Sequence, residues 1–314
     1  MRTNKLILSL FLSIACVPAV QSAQIAEAME AGDFSQVQTL VREGLDVNEP
    51  QIDGATALLW ATQWDDVQSA RLLIRNGADV NSANRTGATP LQVAAINGSA
   101  AMLEILLDAG ADPNARVTIT ADTPLMLAAR TGIPDAVEVL LDNGAEVNVR
   151  EEWGRTTPLM WAVAEGHTSV AKLLLERGAD VNARTIFVPP DTARGFEGSP
   201  PRDRLAHETG PIQHASGELT AIHFAARDGY LDTAELLLDS GAEIDVLTAD
   251  GKNALGLAIF NGHYELASLL IDRGSDVNQA DARGFNPLFW AVDRRNMETA
   301  RISPGWSPRT RCPW

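Results

Sequence analysis

The chain has 314 residues but only two cysteines, Cys16 and Cys312, five histidines, and aromatic residues at 5%. One cysteine near each end excludes a disulfide framework, and if a leader carrying Cys16 is removed no internal bridge remains. Stability therefore has to come from packing. Bases are scarce as well: 25 against 41 acids give a formal charge of −16 and an isoelectric point near 4.7. That is the wrong sign for holding a phosphate backbone, so nucleic acid is excluded as a partner. No apolar run approaches the roughly 20 residues that cross a bilayer, so no membrane span is expected. Also missing are a phosphate-cradling glycine loop, a nucleophile elbow, a His-Glu-x-x-His pair and a cysteine pair at metal spacing. The expectation is a protein that is not an enzyme and holds no cofactor.

The chain opens with an address. Arg2 and Lys5 precede the mostly apolar run Leu6 to Ala15, and small residues follow in Val20-Gln21-Ser22-Ala23. This order predicts a signal peptide over residues 1–23 and export to the periplasm or out of the cell. Its removal takes two bases and no acids, moving the charge from −16 to −18. Two alternatives stay open: a buried first helix, and lipidation at Cys16, although Ser13 stands where such sites usually carry an aliphatic residue.

The rest is periodic. A Gly-x-acid-x-Asn phrase recurs at Gly44, Gly77, Gly110, Gly144, Gly178, Gly241 and Gly274, with gaps of 33, 33, 34, 34, 63 and 33 residues. The outlier is one period plus 30 inserted residues. Thr89-Pro90, Thr123-Pro124 and Thr157-Pro158 each set an N-capping hydroxyl before a proline at the first helical position, where a missing N–H costs nothing. A short alanine-rich helix follows and stops near Gly98, Gly132 or Gly166. A second helix carries apolar residues at helical spacing, as in Met102, Ile105 and Leu106, and ends on the phrase glycine in a left-handed cap. Helices below about 12 residues are marginal alone in water, so such pairs must stack into a curved solenoid.

Gly87-Ala88-Thr89-Pro90-Leu91 with Gly110-Ala111-Asp112-Pro113-Asn114, and Thr157-Pro158-Leu159 with Gly166-His167 and Gly178-Ala179-Asp180-Val181-Asn182, resemble the ankyrin repeat. The resemblance runs from residue 24 to about 300 outside the insertion. It implies an all-α solenoid of stacked helix-turn-helix repeats with short β-turn or hairpin loops: repeats 1–5 over 24–182, a Pro/Gly-rich insertion over 183–217, and repeats 6–8 over 218–301, the last incomplete. It further implies a protein partner held by the concave first-helix face and the inter-repeat loops. The family's usual histidine after Thr-Pro-Leu stands only at His223; Gln92, Met126 and Met160 replace it, which puts one structural hydrogen bond per repeat in doubt.

Irregularity on that face marks the candidate binding residues. Trp60, Trp161, Phe224 and Trp290 follow the histidine slot directly, and Trp64 lies one turn after Trp60. Tryptophan is enriched at binding hot spots, whereas large rings between stacked helices more often fill space, and both readings stand. In the insertion, Pro189, Pro190, Pro200, Pro201 and Pro211 with Gly195, Gly198 and Gly210 predict a long loop beside the concave face, with Phe187 and Phe196 as anchors. His207, Glu208 and His214 are the only ligand types grouped outside the repeat pattern, and two or three ligands leave a metal site open; a metal-dependent or catalytic protein with its site in the insertion is the alternative from another class, and an effector acting on another cell is a third reading. In the eighth repeat Met297, Ala300 and Arg301 suggest a second helix that never finishes, and residues 302–314, rich in Arg, Pro, Ser and Trp without one acid, read as a frame slip or a basic tail.

Overall fold

The computed structural model describes residues 23–116, 121–188 and 215–302, with side chains as far as Arg295. The leader with Cys16, the insertion residues Phe196, His207 and His214, and residues 303–314 lie outside the described residues. The chain builds paired helices: α1 (Gln24–Glu30) with α2 (Phe34–Arg42), α3 (Ala57–Gln63) with α4 (Val67–Arg75), α5 (Pro90–Asn97) with α6 (Ala100–Asp108), and α7 (Pro124–Thr131) with α8 (Pro134–Asp142). Then come α9 (Pro158–Ala164) with α10 (Thr168–Glu176), α11 (Ala221–Asp228) with α12 (Leu231–Asp239), α13 (Ala254–Asn261) with α14 (Tyr264–Asp272), and a longer α15 (Pro287–Ile302). Between α10 and α11 stand two short strands, β1 (Phe187–Val188) and β2 (Ser216–Gly217), paired antiparallel.

Local chemistry sets the boundaries. The hydroxyls of Thr56, Thr89 and Thr157 accept the backbone N–H three residues on, and Asp33, Asp66 and Ser99 do the same for second helices, satisfying donors that a helix start leaves bare. Gly98, Gly132, Gly229 and Gly262 close first helices in the left-handed region, where a Cβ is strained. First helices carry fully buried alanines, such as Ala94, Ala95, Ala128, Ala129, Ala225 and Ala226, so their backbones approach closely. Second helices meet through larger side chains such as Leu73, Leu106, Leu140 and Leu174 and pack against one another less densely. The stack therefore curves toward the first helices, and the loops before them line the same concave side.

The asparagine of the repeated phrase joins neighbours. Asn48, Asn81, Asn114, Asn148 and Asn182 each donate from Nδ2 to the carbonyl of the next phrase glycine and accept at Oδ1 the amide two residues beyond it. Only a carboxamide supplies both roles. The bonds of Asn182 to Gly241 and Glu243 cross the insertion, so the inserted residues leave the stack unbroken. At the sixth copy Asp245 replaces asparagine and cannot donate. The Ser275 hydroxyl and Asn253 amide instead donate to Asp245 Oδ1 at 2.7 and 3.0 Å, and the Asp276 N–H binds it at 3.0 Å. On the convex side Arg177 reaches back to Glu138 and Asp142, as Arg273 does to Glu235 and Asp239.

The end of the stack departs from expectation. The sequence suggested a second helix starting near Met297; α15 instead runs unbroken for 16 residues. Arg295 stands where most earlier repeats have the glycine that stops their first helix and the second repeat has Asp65, which also turns at a positive φ; at Arg295 the chain stays helical.

Candidate functional site

The residues after the histidine slot form one row along the concave side, Trp60, Val93, Leu127, Trp161, Phe224, Leu257 and Trp290, with most of its members half-buried. Trp60 Nε1 donates to Gln51 Oε1 at 2.7 Å. The Arg130 guanidinium lies 4.9 Å from the Trp161 ring centroid, and that of Arg227 lies 5.1 Å from Phe224. Such stacks orient a planar cation while keeping its edge hydrated. Trp290 is a core residue, 8% exposed, held edge-on by Phe260 at 5.0 Å and Phe285 at 5.5 Å. These rings pack α15 against α13. Trp64 is 54% exposed, yet its Nε1 donates to the Met29 carbonyl at 3.1 Å and ties the second repeat to the first. The concave centre is thus the Arg130–Trp161 and Arg227–Phe224 pairs in adjoining repeats.

The insertion is spliced into a β-turn beside this centre. In other loops a backbone bond closes a turn of five or six residues, as from Gln51 N–H to the Ala55 carbonyl and from Glu151 N–H to that of Thr156. Here the equivalent bond runs from Thr185 N–H to the Leu219 carbonyl at 2.9 Å. The sequence indicated a structureless loop; its described ends are a paired stem, with Phe187 opposite Gly217 and Val188 opposite Ser216. Gly217 has φ +97°, and a Cβ there would overlap the Ile186 carbonyl oxygen, so the stem needs glycine. Neighbouring loops join it into a ladder, through Ile186 N–H to the Gly154 carbonyl at 2.8 Å and Ala249 N–H to Gly217 at 3.0 Å. Phe187, 48% exposed, lines an open cavity of about 850 Å³ together with Arg184, Glu218, Glu243, Asp245 and Val246.

The histidine slot is filled by different chemistry in different repeats. His223 accepts the Thr220 N–H at Nδ1 at 3.0 Å and donates from Nε2 to the Val246 carbonyl at 3.0 Å. Gln92 makes the same pair, accepting the Thr89 N–H at 2.9 Å and donating to the Ala115 carbonyl at 3.0 Å. The bond placed in doubt by the missing histidine is therefore kept at Gln92, while the thioethers of Met126 and Met160, which cannot donate, fill the slot with buried apolar volume. Burial pushes the His223 imidazole down to about 4, with the Arg184 charge acting in the same direction and the Val246 carbonyl and Asp250 opposing. His167 and His263 bind the Arg130 and Arg227 carbonyls one repeat back, each at 3.0 Å. Those three histidines have structural partners, and among the described residues no group of three or more His, Cys, Asp or Glu is placed to hold a metal ion.

Charge separates between the two sides, a signal present in the sequence that motif reading passed over. The second helices with their following phrases (33–48, 65–81, 99–114, 133–148, 167–182, 230–245, 263–278) hold 23 acids and 6 bases. The loops and first helices of repeats 2–8 (49–64, 82–98, 115–132, 149–166, 183–188, 215–229, 246–262, 279–295) hold 11 of each. Eight of the 23 acids lie in the phrases, Glu243 and Asp245 of the cavity among them, so the second helices themselves carry a net −9, while the first-helix half is neutral over repeats 2–8 and −2 in α1.

Comparison with known proteins agrees with this architecture. A family model described as ankyrin repeats (3 copies) matches residues 25–117, 117–185, 206–281 and 222–302. The chain is similar to the crystal structure of the human ASB11 ankyrin repeat domain, with a TM-score of 0.63 and 28% identity over 80% of this chain and 98% of that one. No curated protein matches it. With family matches spanning most of its length and the repeat geometry in place, the chain belongs to the ankyrin repeat family.

Proposed function

We propose that this protein is an exported, non-enzymatic scaffold that holds a protein partner against the middle of its concave face, between the Arg130–Trp161 and Arg227–Phe224 pairs and the stem of the insertion. Ankyrin repeats generally mediate protein–protein interaction. The observation that carries the finer reading is the separation of charge. A neutral stretch bearing aromatic rings under arginines lies opposite second helices of net −9. Screening over about 8 Å at physiological salt, against helices about 10 Å across, keeps the convex field from reaching the concave surface. An acidic partner meets repulsion on the convex side and little on the concave one. Export rests on the basic start, the short apolar run and the small residues before Gln24.

The test is capture from the exported fraction with the intact chain, with Arg130→Ala, with Phe187→Ala, and with a chain lacking residues 189–214. All three changes should lower capture while the far-ultraviolet dichroism stays that of the parent. Equal capture by all four proteins contradicts this site, and cell fractionation that leaves the protein in the cytoplasm contradicts export.

A further inference from the structure

The last described repeat leaves uncovered what every earlier repeat buries. Leu288 occupies the position of Leu58, Leu91, Leu125, Leu159, Ile222 and Leu255, which are essentially inaccessible, yet it is 68% exposed. Val292 stands where Thr62, Ala95, Ala129, Val163, Ala226 and Ile259 are buried, and it is 52% exposed. Phe289, stacked on Phe285 at 4.0 Å, and Ile271 of α14 are exposed beside them. In earlier repeats the counterparts of Ile271, from Ile74 to Leu238, are partly covered by the core. The four side chains make one apolar face continuous in register with the stacking interfaces, and no described residue covers it.

We propose that a second copy of this chain covers this face, the two C-terminal ends meeting about a two-fold axis. Three observations select that occupant. The face is built from side chains that earlier repeats bury, so an apolar surface of similar extent fits it. The other end of the stack does not: in α1 the apolar side chains Ile25, Ala26, Ala28 and Met29 are buried, and Gln24, Glu27 and Glu30 are exposed. Head-to-tail growth would seal the apolar face with carboxylates, whereas an isologous pair closes on itself. Charge agrees, because residues 263–295, which carry the face, hold four arginines against five acids in a chain of net −16; two acidic molecules meet there with little repulsion.

Sedimentation equilibrium over a range of concentrations tests it with the full chain. The expected result is a reversible doubling of mass and no larger species, lost in Leu288→Glu/Val292→Glu and kept in Ile96→Glu, which changes an exposed concave residue. Because both end positions are exposed in the single chain, the double variant should keep the melting temperature that the parent shows when dilute enough to be monomeric. A parent that is monomeric at all concentrations overturns the proposal, as do open-ended polymers or a dimer indifferent to the double change. Dimerisation only after deletion of residues 303–314 overturns it too, since the occupant would then be the chain's own tail.

Discussion

Gln92 in the third repeat and His223 in the sixth hold the same two backbone groups with different chemistry: each accepts the N–H of the helix-capping threonine and donates to a carbonyl at the start of the next loop. The carboxamide matches the imidazole because both carry an acceptor and a donor at similar reach. They differ in one respect, since only the imidazole takes up a proton near neutral pH.

That difference makes stability depend on acid at one repeat. The folded His223 titrates near 4 against 6.5 for a free ring, so above 6.5 it contributes no pH dependence. Between 6.5 and 4 the unfolded chain binds the proton first, and stability falls as pH drops, by about 3 kcal/mol in all. In His223→Gln this loss should vanish while stability at pH 7.5 stays within about 1 kcal/mol of the parent, the scale of one net hydrogen bond. Urea unfolding at several pH values measures both; an unaltered slope would show that other groups set the acid limit.

The Asp245–Ser275 pair predicts a coupling. Ser275→Ala removes a buried donor to Asp245 and should cost about 1 to 2 kcal/mol. In an Asp245→Asn background the amide regains the donor that the other repeats use, so the same change should cost less than half as much. A double-mutant cycle reads the difference, and additive losses would mean that the serine does not compensate for the aspartate.

The two exposed-edge tryptophans should separate. Trp64→Ala loses one hydrogen bond and a half-exposed ring, about 1 to 2 kcal/mol. Trp161→Ala opens space between first helices beneath Arg130 and should cost more, about 2 to 4 kcal/mol. Thermal unfolding ranks them, and the reverse order would place Trp64 in the core.

Partner binding through a neutral face should change little with salt. Raising ionic strength tenfold should shift the dissociation constant by less than about threefold, whereas a basic partner on the convex side would lose affinity steeply. A titration series by calorimetry distinguishes the two.

The repeat, its caps and the direction of stacking were legible because each rests on local chemistry that one repeat displays by itself: threonine before proline, glycine at a positive φ, apolar residues at helical spacing. The burial of Trp290 was not legible because it depends on Phe260 from the neighbouring repeat and Phe285 from its own loop, contacts that spacing within one helix does not reveal. The stem of the insertion escaped notice because its strands are two residues long and 28 positions separate Val188 from Ser216. Helix α15 was read as two because the absence of a glycine at Arg295 was not weighed against the helical pattern after it. The separation of charge needed only addition, once the two halves of each repeat were assigned to opposite sides.

The most direct measurement is hydrogen exchange on the complex with a captured partner. The account predicts new protection in α9, α11 and the loops at residues 149–156 and 215–219, with exchange in α8, α10 and α12 unchanged. Protection confined to those second helices would contradict it.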